Sequence, residues 1–203
     1  MIKNDLSDKI VADFLMKVPN IEDMDLEDFR NNIIEIYKQY TGFNYDLLKS
    51  LPSQELINLL TNERIKDFSR VLIVSTLLFI EGIKEENYSK INKSYEIFEL
   101  SLDRDFDVKD SQFKGEFIKI MDALREYELP DELQHKLFTY YKDLNEYVKA
   151  EDSIYELAEN NPHYTSALID FYSYLLALDD ETLEANDFTR EEIQEQLSEV
   201  NNE

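Results

Sequence analysis

Residues 71–80, Val-Leu-Ile-Val-Ser-Thr-Leu-Leu-Phe-Ile, are the most apolar run of the chain, and no single helix face could hold them. They sit in a longer periodic stretch, 62–82, marked by Ile65, Phe68, Val71, Leu72, Ser75, Leu78 and Phe79 and closed by Gly82. Ile73, Val74, Leu77 and Ile80 fill the other sides, which predicts a central helix covered by other elements. A run of ten residues is about half of what a bilayer requires, so the cover must be protein. The chain can supply it: 43% of its 203 residues are hydrophobic, and only 3 Gly and 4 Pro interrupt it. That balance, rich in helix-forming Leu, Glu and Lys, predicts an all-α protein.

The remaining helices follow from periodicity and punctuation. Residues 6–18 carry Leu6, Ile10, Phe14 and Leu15 on one stripe, with Pro19 as the expected end. Asp25 is an N-cap for a helix built on Phe29, Ile33, Ile36, Tyr37 and Tyr40 and stopped by Gly42. Two short helices, 45–51 and 53–60, flank Pro52. Beyond the central helix come 88–102, with Tyr88, Ile91, Tyr95, Phe98 and Leu102 inward, and a segment with Phe113, Phe117, Ile120, Met121 and Leu124. Pro130 opens 131–144, followed by 147–159, 163–178, a short turn at 181–185 and 189–200, where Thr189 and Glu192 form a capping box. No Gly/Ser linker divides the chain, so a single helical domain over 1–203 is expected, with N-terminal (1–61), central (62–130) and C-terminal (131–200) parts.

Helices joined by short connections invite a search for a repeat. With Asp131 as the first position of a 34-residue tetratricopeptide-like unit, Leu137 and Tyr141 fall inward on the first helix. Tyr147, Ala150 and Ile154 then pack from the second, and Pro162 closes the turn. Phe138 and Leu157 depart from the pattern, which keeps small residues there. A weaker copy through Leu78, Tyr88, Ile91, Tyr95 and Phe98 places Gly82 where an aromatic belongs, and two ordinary helical hairpins explain it equally well. The architecture expected is therefore stacked antiparallel helical hairpins, tetratricopeptide-like, in a compact right-handed array.

The C-terminal stretches ALIDFYSYL at 167–175 and LEANDFTREEI at 183–193 resemble an uncharacterised acidic, tetratricopeptide-like helical family of Gram-positive bacteria. The resemblance implies a helical-repeat fold and a bacterial setting. It assigns no activity and carries over no functional residue.

Charge narrows the partners. With 45 acidic against 21 basic residues, a formal charge of −24, the chain repels nucleic acid and anionic membrane on average. The acids are interleaved with apolar residues at helical spacing, as expected for solvated outer faces. The N-terminus has no apolar segment behind Lys3, so no secretory signal is read and the cytoplasm is the expected compartment.

Chemistry-bearing motifs are sparse. Without cysteine there is no disulfide or thiolate site, and Gly42, Gly82 and Gly115 are isolated, so no phosphate loop forms. Glu132 and His135 have the spacing used in di-iron bundles, but that centre needs a second such pair and two further glutamates, and His163 lacks its glutamate. No cofactor or metal is expected. The expected function is a protein–protein interaction adaptor or regulator without catalysis, holding a protein or peptide partner. An acidic decoy for a basic nucleic-acid-handling protein and a small-molecule enzyme using paired carboxylates stand as alternatives.

The repeat register also points to a seat for that partner. Glu132, His135, Lys136, Thr139 and Lys142 fall where such repeats line a concave face, and three of the five are basic or potentially basic. They form a candidate site for a carboxylate, unless Lys136 and Lys142 merely pair with Glu132 and Glu146. Tyr140 and Tyr172, read as exposed beside the inward positions, complete the expected contact surface.

Overall fold

The computed structural model describes residues 5–61, 67–104 and 106–201, and every regular element among them is helical. The chain forms two compact units, Met1–Glu126 and Tyr127–Glu203, meeting four residues before the C-terminal part marked by Pro130.

The first unit holds α1 (Asp5–Asp23), α2 (Leu26–Thr41), α3 (Tyr45–Ser50), α4 (Ser53–Leu60), α5 (Ser69–Lys84), α6 (Tyr88–Leu102) and α7 (Lys114–Arg125). Every residue of α5 from 71 to 82 is buried, and α5 packs against α1, α2, α4 and α6, so the central helix is covered as its all-round apolarity requires. Its start differs from the sequence reading. Asp67 and Phe68 precede the helix, and the Asp67 carboxylate caps it by accepting from the Ser69 N–H at 3.0 Å. Residues 62–66, Ile65 among them, lie outside the described residues.

Gly82 does not stop α5 either. A methyl group there would meet Ile91 Cγ1 at 2.8 Å and the Ile91 backbone nitrogen at 3.0 Å, so glycine is what lets α6 cross α5 closely. The helix ends at Lys84 instead, and beyond it Glu86 takes the left-handed conformation at φ 50° while the Asn87 N–H returns to the Gly82 carbonyl at 2.8 Å. Tyr88, expected inward, is exposed.

Pro19 is likewise interior to α1 rather than its end. An interior proline costs about 3 kcal/mol, but Val18 and Ile21, at 1% and 4% exposure, extend the buried stripe of Val11 and Phe14. Each such burial returns about 1.5–3 kcal/mol, enough to carry the helix through. The stripe thus runs at 11, 14, 18 and 21, offset from the Ile10 and Leu15 positions read in sequence, and the Leu6 side chain lies outside what is described. The caps of α2 are those expected: Asp25 accepts from the Asp28 N–H at 2.8 Å, and Gly42 closes the helix at φ 77°.

The second unit holds α8 (Asp131–Asp143), α9 (Tyr147–Asn160), a 3-10 turn at Pro162–Tyr164, α10 (Thr165–Leu176), α11 (Asp180–Glu184) and α12 (Arg190–Val200). Asn145 at φ 63° reverses the chain between α8 and α9, which pack as a hairpin with Leu137, Tyr141, Ala150 and Ile154 wholly buried. α10 packs on α9 and α12, and the capping box of Thr189 and Glu192 is formed.

Candidate functional site

The α8 residues read from the sequence lie close together on the helix, and Lys142 already rests on neighbouring rings. His135, Thr139 and Lys142 follow the i, i+4, i+7 spacing of one helix side, and Lys136 and Tyr140 adjoin it. The His135 ring packs 5.2 Å from Tyr164 and 5.7 Å from Phe138, and the Thr139 hydroxyl donates to the His135 carbonyl at 3.0 Å. Lys142 holds its ammonium 5.7 Å from the Phe138 ring centre and 5.6 Å from that of Tyr174.

Tyr172 corrects the sequence reading. It is 1% exposed, not a surface tyrosine, and its hydroxyl donates to Glu151 on α9 at 2.9 Å. Its position on the buried stripe with Leu168 and Leu175 is the reason, because α10 packs that stripe between α9 and α12. Burial pushes the Tyr172 hydroxyl and the Glu151 carboxyl above their ordinary pKa values. The surface tyrosine of α10 is Tyr174, whose hydroxyl lies 3.0 Å from that of Tyr147.

A concavity lies elsewhere, in the first unit. The end of α1, the last turns of α5 and one side of α7 enclose a groove of about 470 Å³. Phe79, Ile80, Ile83 and Ala123 make it apolar, and Glu22, Lys84, Lys119, Asp122 and Glu126 stand around it. Ile83 is 48% exposed, so the groove opens to solvent over a large aliphatic side chain.

Its polar rim is held by bonds within the unit. Lys84 donates to the carbonyls of Glu22, at 2.7 Å, and Met24, which satisfies the exposed carbonyl end of α1. Lys119 lies 2.9 Å from Glu22 and 3.1 Å from Glu116. Burial works against its charge, but those two carboxylates outweigh it and hold Lys119 above the ordinary lysine pKa. Burial raises Glu116 above the usual carboxylate range against the pull of Lys119, and its second oxygen is buried without a hydrogen-bond partner. Glu116 does not line the groove, so its raised carboxyl faces no bound substrate there.

Sequence reasoning missed this site because its walls are far apart along the chain. One signal was available: Ile83 breaks the polar run expected beyond Gly82, beside Lys84 and Glu85. Among the described residues no group of three or more His, Cys, Asp or Glu side chains is arranged to hold a metal ion. No helix among them is long and apolar enough to cross a membrane.

Comparison with curated proteins and with solved structures returns no match. A protein family does match, over residues 54–203, from the second residue of α4 to the end of the chain. The matched region includes the α5 and α7 walls of the groove and the whole second unit, and excludes Glu22 on α1. Covering well over half of the chain, the match shows that this protein belongs to the family of unknown function DUF6483.

Proposed function

We propose that the protein is a binding module, an adaptor or regulator that holds another protein and does no chemistry of its own. The observation that carries this reading is the open groove of about 470 Å³ with Phe79, Ile80, Ile83 and Ala123 at its apolar surface. An exposed aliphatic side chain in a concave setting stays in water at a cost of about 25 cal/mol per Å², which a docked apolar group removes.

The second unit supports a helical-repeat reading. α8 and α9 form a hairpin with Ala150 at the crossing, and α10 begins at Thr165, one 34-residue period after Asp131 opens α8. Stacked hairpins of tetratricopeptide type present helix faces to partners, which agrees with a binding role. The acidic surface and the C-terminal resemblance favour the cytoplasm of a Gram-positive bacterium as its setting.

The groove is preferred over the α8 face because Lys142 and His135 there already rest on Phe138, Tyr164 and Tyr174. The test is affinity capture from native cells, comparing wild type with Ile83→Asp and with Ile34→Asp, an exposed control on α2. One partner lost with Ile83→Asp and kept with Ile34→Asp is expected. Identical captures from all three proteins would remove the groove from the proposal.

A further inference from the structure

We infer that the groove of α1, α5 and α7 selects a protein segment in which large apolar residues are flanked by lysine or arginine. This rests on the binding-module reading and adds the chemistry of the partner. Lys84 holds the carbonyls of Glu22 and Met24, and Lys119 the carboxylates of Glu22 and Glu116, so these two lysines are the cations that line the groove. The acids outnumber them, since Glu22, Asp122 and Glu126 line the groove and Glu116 stands behind Lys119. What surrounds the apolar floor is therefore net negative, and an incoming segment gains most by carrying positive charge beside its apolar anchor.

Other occupants fit less well. A second copy of this chain brings another −24 charges to the same rim, and an anionic lipid surface or nucleic acid meets the same repulsion. A basic and apolar peptide segment meets neither obstacle.

The test uses a displayed library of random 16-residue peptides. It is selected on the full chain, then depleted on Ile83→Asp and separately on Ala123→Glu. Both variants are more acidic than wild type, so peptides held only by general charge attraction stay bound to them and are removed. Circular dichroism and thermal melting establish that both variants are folded, and the two positions lie on different helices. Surviving sequences should combine one or two large apolar residues with lysine or arginine within a helical turn. For the best of these, exchanging its basic residues for glutamine should raise Kd at least tenfold, as should Ile83→Asp. Survivors without basic enrichment would leave the groove as a binding site and overturn this inference alone. No survivors at all would overturn both.

Discussion

The ammonium of Lys90 lies 3.0 Å from the carboxylate of Glu81, and the pair is buried, the two side chains being 13% and 3% exposed. Glu81 is the single charged residue among the buried positions 71–82 of α5. The Tyr45 hydroxyl of α3 donates to the same oxygen, and Lys90 reaches Glu85 at 2.6 Å, so α3, α5 and α6 converge on one charge.

Breaking this pair from one side should be costly. Lys90→Met leaves the Glu81 carboxylate without its cation and should destabilise by about 3 kcal/mol. Glu81→Leu should cost less, because Lys90 keeps Glu85. In urea unfolding, the double variant should be more stable than the sum of the single losses requires, by about 2 kcal/mol. Simple additivity would mean that the pair contributes no coupling.

The close crossing at Gly82 predicts opposite effects four residues apart. Gly82→Ala improves intrinsic helix propensity by about 1 kcal/mol but forces Cβ against Ile91, and a net loss of roughly 1–3 kcal/mol is expected. Glu86→Gly relieves a left-handed backbone at φ 50° and should stabilise by about 1 kcal/mol. Thermal melts of the two variants should shift in opposite directions, and a rise for Gly82→Ala would contradict the crossing geometry.

In the second unit, Ala150 is fully buried where α9 meets α8. Ala150→Asp places an unpaired charge there and should destabilise by about 3–5 kcal/mol. A melting temperature within a degree of wild type would show that the hairpin is not tight at this position.

Glu116 should make stability depend on acidity. Its folded pKa is raised by burial, so the folded state holds the proton more strongly than the unfolded chain. Stability then falls as pH rises from the unfolded value near 4.5 through the raised folded value, and levels off above it. Glu116→Gln removes this dependence and should be the more stable protein at pH 7, with the gap closing toward pH 4. A gap that widens on acidification would show that the ion pair with Lys119 outweighs the burial.

Helix type and most boundaries were legible in the sequence because they are local. Asp25, Gly42 and Thr189 with Glu192 signal helix ends within a few residues, and their caps form as their side chains dictate. The all-round apolarity of 71–80 required a covered helix, whichever elements supplied the cover. Where reading failed, a tertiary contact outweighed a local preference. Pro19 stays helical because Val18 and Ile21 are buried, and Gly82 is an approach point rather than a stop because Ile91 packs on it. Besides Gly42, left-handed residues fall on Glu86, Asn145 and Asp187, so three helix ends carried no glycine signal.

The candidate site divides the same way. The sequence by itself determined that α8 has a face with His135, Thr139 and Lys142 on one side, since the helical period places them there. Only the tertiary structure decided that Lys142 rests on Phe138 and Tyr174 and that Tyr172 is buried against Glu151. It alone joined Glu22, Ile83 and Ala123 into one groove, because burial and ion pairing depend on which distant helices meet, and no local pattern encodes that meeting.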